Sequence, residues 1–327
     1  MEILAAGRVC GSPLSEPCFD HSRCRPTPEG PGLTLYVYDE ECTLNNSSSM
    51  GISKESDERG RLERLGPIWR DAAQDLGILA EDHESACILV HVNVGPHPQP
   101  CAPRSPVWNN GVNHFMVDYT DQPRTQRPHV ADSLAMEGAS NMHTCFYRSG
   151  YDISLPLSPK KLFLQLQDVS AKRRKFFATV KATVYLGGTG SEERMSLVPI
   201  HDEAQGIITS MHCLESHGEH LLPENVEYCE LLKARYSDYS YEELMNTTFG
   251  IVPGGRSPGT YRLGEVMSAG AIPVFVARDI VRPFREQIDW PSFSFVFTPD
   301  QARTIMVDIL QAVPPEKLLE MQVSAAE

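Results

Sequence analysis

Short runs of apolar residues alternate along this chain with stretches whose apolar positions recur at helical spacing. LTLYVY (33–38) and ACILVHVNV (86–94) are typical of strands, because β-branched and aromatic residues are concentrated in them. The stretch 66–77 predicts an amphipathic helix. Its core face is expected to carry Ile68, Trp69, Ala72 and Leu76.

The other elements follow the same alternation. In the first half, further strands are predicted at 114–118 and 153–157. In the second half, the pattern predicts strands at 175–186, 207–211, 249–252, 272–276 and 293–297, and helices at 192–197, 241–245, 260–269, 299–313 and 315–323. Strands that alternate with helices in both halves predict an α/β fold with mostly parallel sheets.

Length and composition divide the chain into two domains. Its 327 residues suit two domains of about 150 residues each. Residues 1–32 are rich in Cys, Pro and Gly and predict an irregular entry. A basic stretch at 159–175 marks the junction, so we expect one domain at 33–160 and a second at 161–327.

The charge balance limits the class of partner. The chain carries 29 basic and 43 acidic residues, which gives a net charge of −14. Such an acidic protein is not expected to bind nucleic acid or an anionic membrane as its main partner. A local cluster of arginines can still hold an anionic ligand, because close contacts outweigh the mean field.

Cysteines and sequons bear on the compartment. The nine cysteines lack the paired spacing of a zinc site, so no metal is expected. Asn45 and Asn246 each begin an Asn-X-Ser/Thr sequon, which together with the cysteines favours an oxidising lumen. Met1–Val9 is too short and too weakly apolar for a signal peptide, and no run of about 20 apolar residues exists. We therefore expect either a cytosolic chain or an upstream anchor that is missing from this sequence.

Candidate chemistry lies in NTTFGIVPGGRSPGTYRLGEVMSAGAIPVFV (246–276). An apolar strand ends there at a Gly-Gly-Arg loop, where α/β sheets bind their ligands. Gly255 lets backbone amides approach a ligand, Arg256 offers a forked donor for phosphate, and the following helix adds free N–H groups. Arg262 and Glu265 share a face of that helix, and Gly270 is expected to end it. The pattern predicts a phosphate-bearing ligand; the alternative is a plain glycine turn beside a solvated Arg–Glu pair.

This stretch is similar to the C-terminal signature of the exostosin family of inverting glycosyltransferases. Further matches stand in family order: CFDHSRC (18–24), LYVYD (35–39), ACILV (86–90), WNNGVNHF (108–115), RSGYDISLPL (148–157) and PFREQIDW (283–290). The resemblance implies a GT-B fold, in which two Rossmann-like domains face each other across a cleft. It also implies that the C-terminal helix common in the family is truncated in this chain.

The resemblance implies a UDP-linked sugar as donor, a glycan or glycoprotein as acceptor, and no cofactor. The donor is expected in the C-terminal domain and the acceptor against the first domain. By match to the family, Arg256 and Arg262 would contact the diphosphate and Glu265 would accept hydroxyl groups of the ribose or sugar. The expected donor-binding set is Gly255, Arg256, Arg262, Glu265, Lys181 and Arg194.

An inverting transfer also requires a base that takes the proton of the acceptor hydroxyl. The candidates are Asp152, His114 and Asp118. His114 belongs to the WNNGVNHF match, and an unperturbed imidazole suits the task. For each candidate the alternative is a structural role, as a capping histidine or a turn-forming aspartate, so the base stays open.

The resemblance further implies two disulfides, Cys18–Cys24 and Cys213–Cys229, and a glycosylated Asn246. It places the full-length protein in the lumen of the Golgi apparatus or endoplasmic reticulum, anchored in the membrane. A lumenal compartment agrees with the cysteines and sequons.

Several positions depart from the family signature. Basic residues of the family are replaced by Gly254, Ser257 and Val184, and a family glycine is replaced by Ala182. The departures favour a second hypothesis, in which the chain is a catalytically inactive scaffold in complex with another exostosin-like transferase. Both hypotheses remain open at the level of sequence.

Overall fold

The computed structural model describes residues 19–24, 32–38, 65–93, 107–119, 133–145, 147–186, 191–215, 223–255 and 258–326. These residues form two compact units. The first contains the described residues up to 140 together with 147–155, and the second contains 141–145 and 156–326. The second unit therefore begins before the boundary at 160 that the basic stretch predicts.

The first unit is built on a five-stranded parallel sheet whose strands follow chain order. The strands are β1 (Leu35–Val37), β2 (Ile88–Asn93), β3 (His114–Asp118), β4 (Met136–Ala139) and β5 (Ile153–Ser154), with helix α1 (Leu65–Asp75) between β1 and β2. Val90 and Val117 are fully buried at the centre of this sheet. The predicted α/β class is confirmed here, although the short, glycine-containing β4 was not predicted.

Helix α1 presents a different face to the core from the one predicted. Ile68 is 56% exposed and Leu76 is 72% exposed, so this part of the prediction is wrong. The buried positions are Gly66, which has no side chain, and Ala73, which has a single methyl group. Trp69 lies between them and packs edge-on against Phe115 of β3, with ring centroids 5.8 Å apart.

The second unit contains another five-stranded parallel sheet, in the order β10-β9-β8-β6-β7. The strands are β6 (Phe176–Leu186), β7 (Ile207–Glu215), β8 (Thr247–Pro253), β9 (Ile272–Val276) and β10 (Phe295–Phe297). The helices are α2 (Ser191–Met195), α3 (Pro223–Asp238), α4 (Arg262–Ser268), α5 (Trp290–Phe293), α6 (Pro299–Thr304), α7 (Met306–Gln311) and α8 (Pro315–Ala326). Two parallel sheets in two units confirm the two-domain α/β organisation that the GT-B resemblance implies.

Strand order in the second unit reverses direction at β6. The chain passes from β6 outward to β7 and then returns to the other side of β6 to form β8. Doubly wound sheets bind their ligands at such a switch point, outside the carboxyl ends of the two strands. The pairing of β6 with β8 ends at Thr179 and Gly250. Beyond these residues β6 stays paired with β7 and β8 with β9, so the two strands separate.

A fully buried apolar core supports the separated strands. Its largest side chains include Phe249 of β8, Phe275 of β9 and Trp290 of α5. Helix α4 packs on β8 where Gly250 faces Val266. Gly270 follows this helix with a φ of +66°, which is the left-handed conformation of a terminating glycine. The expected helix end is therefore confirmed.

Two disulfides lie within the described residues, and one of them corrects a prediction. Cys213 of β7 is bonded to Cys229 of α3, as the resemblance implies. Cys24 is bonded to Cys87, so the expected Cys18–Cys24 pair is wrong, and Cys18 lies outside the described residues. The reason is that Arg23 anchors its turn beside β2, donating from Nε to the Ala86 carbonyl at 3.0 Å.

None of the helices within the described ranges combines the length and the apolar character that a bilayer crossing requires.

The contact between β8 and α4 predicts that Gly250→Ala will destabilise the second unit. A Cβ at this position would lie 2.4 Å from a methyl carbon of Val266, so the helix would have to move outward. We expect a loss of about 1–3 kcal/mol in the free energy of unfolding, the usual cost of overpacking a core. Gly254→Ala is the matched control, since its Cβ would be 3.4 Å from the nearest atom. Equal midpoints of thermal unfolding for the two variants would contradict the packing described.

Candidate functional site

A cavity of about 400 Å³ opens in the second unit where β6 and β8 separate. Its walls come from the carboxyl-terminal parts of these strands, the loop after β8, the first turn of α4, helix α2, the end of α3 with the segment that follows it, and the segment 157–161. The lining residues are Leu157, Lys160, Lys161, Lys181, Ala182, Thr183, Arg194, Tyr236, Tyr241, Pro253, Gly255, Gly259, Thr260, Tyr261, Arg262 and Glu265. We call this cavity the strand-end pocket; its size suits a small-molecule ligand.

Arg262 joins the two strands at the point where their backbone pairing ends. Its Nε donates to the carbonyl of Ile251 in β8 at 2.7 Å, and its Nη2 donates to the carbonyl of Thr179 in β6 at 3.0 Å. The side chain is only 5% exposed. The buried carbonyls need donors, because an unpaired polar group away from water is costly. Arg262 therefore has a structural role as well as a place in the pocket wall.

Arg194 makes an equivalent connection farther along the same strands. Its Nε donates to the carbonyl of Gly254 at 3.1 Å, and its Nη1 donates to the carbonyl of Thr183. Two arginines thus bridge β6 and β8 over the stretch where no backbone ladder joins them. The same contacts hold both guanidinium groups in the wall of the pocket.

Glu265 and Tyr241 form a hydrogen-bonded chain with Arg262. The Tyr241 hydroxyl donates to Oε2 of Glu265 and accepts from Nη1 of Arg262 at 3.3 Å. The other carboxylate oxygen of Glu265 accepts from the backbone N–H of Lys160 at 3.2 Å. Burial, together with the nearby Glu265, raises the pKa of Tyr241 to about 12 despite the opposing effect of Arg262, so this hydroxyl is protonated at neutral pH.

Three lysines complete the charged lining. Lys181 donates to the carbonyl of Tyr236 at 2.7 Å and to that of Tyr239, at the carboxyl end of α3, and burial lowers its pKa. Lys160 lies over the ring of Tyr261, 4.4 Å from its centroid. Lys161 is exposed and paired with Glu242 at 2.5 Å.

The pocket therefore gathers positive charge in an acidic protein. Its lining holds three lysines, two arginines and a single carboxylate, whereas the whole chain has a net charge of −14. Fixed cations at the carboxyl ends of parallel strands favour a ligand with several negative charges. The Glu265 carboxylate adds an acceptor for hydroxyl groups, so the arrangement suits a polyanion that also carries hydroxyls.

The loop after β8 is described only in part. Gly255 lines the pocket as expected, while Arg256 lies outside the described residues. Helix α4 begins at Arg262, later than predicted, and the backbone N–H of Arg262 donates to the Thr260 hydroxyl at 3.3 Å. Of the expected donor-binding set, Arg262, Glu265, Lys181, Arg194 and Gly255 meet in the pocket wall.

His114, a candidate base, is fully buried in the first unit. Its Nε2 lies 3.1 Å from the carbonyl of Val107, and its Nδ1 lies 2.7 Å from Nε2 of His91. Since a carbonyl only accepts, the proton of His114 is on Nε2, and Nδ1 accepts from His91. Burial lowers the pKa of His114 to about 4 and that of His91 to about 3. Both histidines are neutral and occupied by structural hydrogen bonds.

Asp152, the second candidate, is held by Arg148. Its carboxylate accepts from the guanidinium of Arg148 at 2.6 and 2.8 Å, from the Arg148 backbone N–H at 3.0 Å, and from the Glu137 N–H at 3.0 Å. This buried ion pair joins the turn before β5 to β4. Asp118 is buried at the last position of β3. The lining of the strand-end pocket includes none of the three candidates.

The two sequons have different outcomes. Asn45 lies outside the described residues. Asn246 immediately precedes β8, and its side-chain oxygen accepts from the backbone N–H of Lys175 at 3.2 Å. Since the pocket is at the carboxyl ends of the strands, Asn246 lies at the opposite edge of the sheet.

Sequence reasoning missed Tyr241, Lys160 and Lys161 in this site. Tyr241 was assigned to a short helix, and the lysines were assigned to the domain junction. The basic character of 159–175 was a usable signal, because it places lysines beside the start of the second unit. The position of Tyr241 carries no local signal, since it reaches α4 only through the tertiary fold.

Comparison with known proteins identifies the family of this chain. A family model described as the Exostosin GT47 domain matches residues 96–313, more than half of the chain. Exostosin-1 of Drosophila melanogaster is 28% identical over 233 residues, covering 67% of this chain and 30% of that protein. Exostosin-1b of Danio rerio is 27% identical over 285 residues, covering 84% and 37%. The chain thus spans about a third of the length of these relatives.

Solved structures offer only distant likenesses. MurG from Acinetobacter baumannii covers 90% of this chain and 94% of its own, with 11% identity and a TM-score of 0.33. CalG4, the calicheamicin glycosyltransferase, covers 88% and 81%, with 11% identity and a TM-score of 0.31. Likenesses at this level carry no argument about fold or function.

The His91–His114 pair predicts that the first unit loses stability in acid. Both folded pKa values lie below the ordinary 6.5, so the unfolded chain binds more protons between pH 6.5 and 4. The stabilisation is complete above pH 6.5 and is lost as the pH falls towards 4, by about 2 kcal/mol per histidine at pH 5. Thermal unfolding at pH 7.5, 6 and 5 measures the loss.

His91→Phe provides the comparison. A phenyl ring preserves the stack on Tyr38, where the ring centroids are 4.3 Å apart, and removes one titrating group. We expect this variant to be less stable than the wild type at pH 7.5, because Nδ1 of His114 loses its donor. Its further loss of stability between pH 7.5 and pH 5 should be about half that of the wild type. An unchanged dependence on pH would show that the pair is not responsible.

Proposed function

Because the chain belongs to the exostosin GT47 domain family, we propose that it is an inverting glycosyltransferase that moves a sugar from a UDP-sugar to a glycan or glycoprotein acceptor. The observation that carries the proposal is the strand-end pocket. It lies at the switch point of a parallel sheet, and its cations and its buried carboxylate match a nucleoside diphosphate. The described lining already supplies both the cations and the carboxylate.

The residues of the pocket have distinct parts in the proposed reaction. As the bond between the sugar and the diphosphate breaks, negative charge grows on the leaving phosphate oxygen. Cations that are already fixed in place stabilise this charge without reorganising. Arg262 and Arg194 are fixed by carbonyls of β6, of β8 and of Gly254 just after β8, and Lys160 adds an exposed cation at the wall. Glu265 would accept hydroxyl groups of the ribose or sugar.

Inversion requires the acceptor hydroxyl to attack from the face opposite the leaving diphosphate while a base removes its proton. We assign no base. Asp152 and His114 are committed to the structural contacts described above, and neither residue is part of the pocket lining. Within the described residues, the proposal therefore rests on leaving-group stabilisation.

A second function is favoured by one observation. Both arginines of the pocket donate hydrogen bonds to backbone carbonyls, as an arginine with a purely structural role would. Gly254 also stands where the family signature has an arginine. The alternative is a catalytically inactive domain that serves as the scaffold partner of another exostosin-like transferase.

We place the protein in the lumen of the Golgi apparatus or endoplasmic reticulum, anchored in the membrane in its full-length form. The support is chemical: two disulfides, Cys24–Cys87 and Cys213–Cys229, lie in the described residues. Disulfides form and persist in oxidising compartments.

The proposal predicts that UDP stabilises the protein in the presence of EDTA, because no divalent ion is needed for the fixed cations to bind it. At a hundred times the Kd, UDP should add about 2.7 kcal/mol to the free energy of unfolding. This corresponds to a rise of about 5–10 °C in Tm for a domain of this size. Release of UDP from a panel of UDP-sugars then tests catalysis.

Lys160→Ala is the informative variant, since its exposed side chain can be removed without opening the core. We expect a threefold to fivefold weaker affinity for UDP, about 1 kcal/mol, and no change in unliganded stability. Lys317→Ala, an exposed lysine on α8, is the matched control. Binding of UDP without turnover, together with capture of an exostosin-like partner, would favour the scaffold. Absence of UDP binding would overturn the transferase proposal.

A further inference from the structure

Arg262 and Glu265 are opposite charges one turn apart on α4, yet the described part of the chain shows no direct ion pair between them. Both are almost fully buried, at 5% and 4% exposure. At this spacing the two side chains are neighbours on a helix and can reach each other. The hydroxyl of Tyr241 stands between them, accepting from the guanidinium and donating to the carboxylate.

Packing holds Tyr241 in this position. Its ring lies against that of Phe163, with centroids 6.0 Å apart, and the guanidinium of Arg262 lies 5.6 Å from its centroid. The ring lines the strand-end pocket. The phenol hydroxyl is neutral, and through its single oxygen atom it accepts from the cation and donates to the anion.

We propose that Tyr241 is a positioning residue that keeps Arg262 and Glu265 apart, so that the strand-end pocket presents a cationic and an anionic surface to one ligand. The inference rests on the proposed function, because the ligand it describes is a nucleoside diphosphate. The phosphates use the arginine side, and hydroxyls of the ligand donate to Glu265. Without the hydroxyl of Tyr241, the two charges would pair and neutralise each other in a buried setting.

Tyr241→Phe tests the spacer, because it removes the hydroxyl and keeps the ring. The probes are UDP and inorganic pyrophosphate, titrated calorimetrically into the full chain. We expect Tyr241→Phe to weaken both by about tenfold, since the carboxylate of Glu265 turns to Nη1 of Arg262 and both charges are lost to the ligand. Glu265→Gln should weaken UDP by a similar factor and leave pyrophosphate nearly unchanged, because pyrophosphate has no hydroxyl to donate.

The decisive variant is the double substitution Tyr241→Phe with Glu265→Gln. Removing the competing carboxylate releases Arg262, so pyrophosphate affinity should return to within about twofold of the wild type. UDP affinity should stay low, because no carboxylate remains for its hydroxyls. A tyrosine that merely filled space would show additive losses for both probes and no recovery.

Tyr151→Phe is the matched control, because it removes a partly buried hydroxyl of the first unit that donates to the Leu134 carbonyl. It should leave both affinities unchanged, and thermal unfolding verifies that every variant is folded. If the wild type binds UDP and Tyr241→Phe binds it with the same affinity, the spacer role is overturned and the proposed function stands. If the wild type binds no UDP, the proposed function fails, and recovery of pyrophosphate binding in the double variant still decides the spacer. Binding of neither probe overturns both.

Discussion

The separation of β6 from β8 after Thr179 and Gly250 is the constraint from which the rest of the site follows. Two parallel strands that part leave carbonyl groups without partners in the interior, and each of these groups needs a donor. Arg262 and Arg194 supply the donors from α4 and α2. The strand separation that opens the pocket therefore also brings two guanidinium groups into its wall.

In the proposed function, this coupling gives the arginines a ligand-binding role in addition to their structural one. Their contacts with the sheet limit their motion, so the cations are in place before a ligand arrives. Preorganised charge of this kind is the most effective way to stabilise a leaving group, because no energy is spent on orientation during the reaction. The cost is that these side chains cannot be truncated without exposing buried carbonyls, so the exposed Lys160 reports on binding more cleanly.

The first unit is held together by contacts within itself. Its charged and titratable groups are largely satisfied within the unit: His114 with His91, and Asp152 with Arg148. The Cys24–Cys87 disulfide fastens the turn of Arg23 to the start of β2. The residues of this unit that resemble family motifs therefore explain how the sheet is built, while the strand-end pocket lies in the second unit.

The sequence alone determined the alternation of strands and helices, because apolar runs and helical periodicity are local properties. It indicated β3 and β9 to the residue, Gly270 as the end of α4, and Arg262 and Glu265 on one helix face; the family resemblance added Lys181 to the same expected set. The tertiary structure alone decided which partner Cys24 takes, which face of α1 is buried, and that His114 is enclosed. Only the folded chain brings Tyr241 between Arg262 and Glu265, since that contact spans separate elements that no local pattern connects.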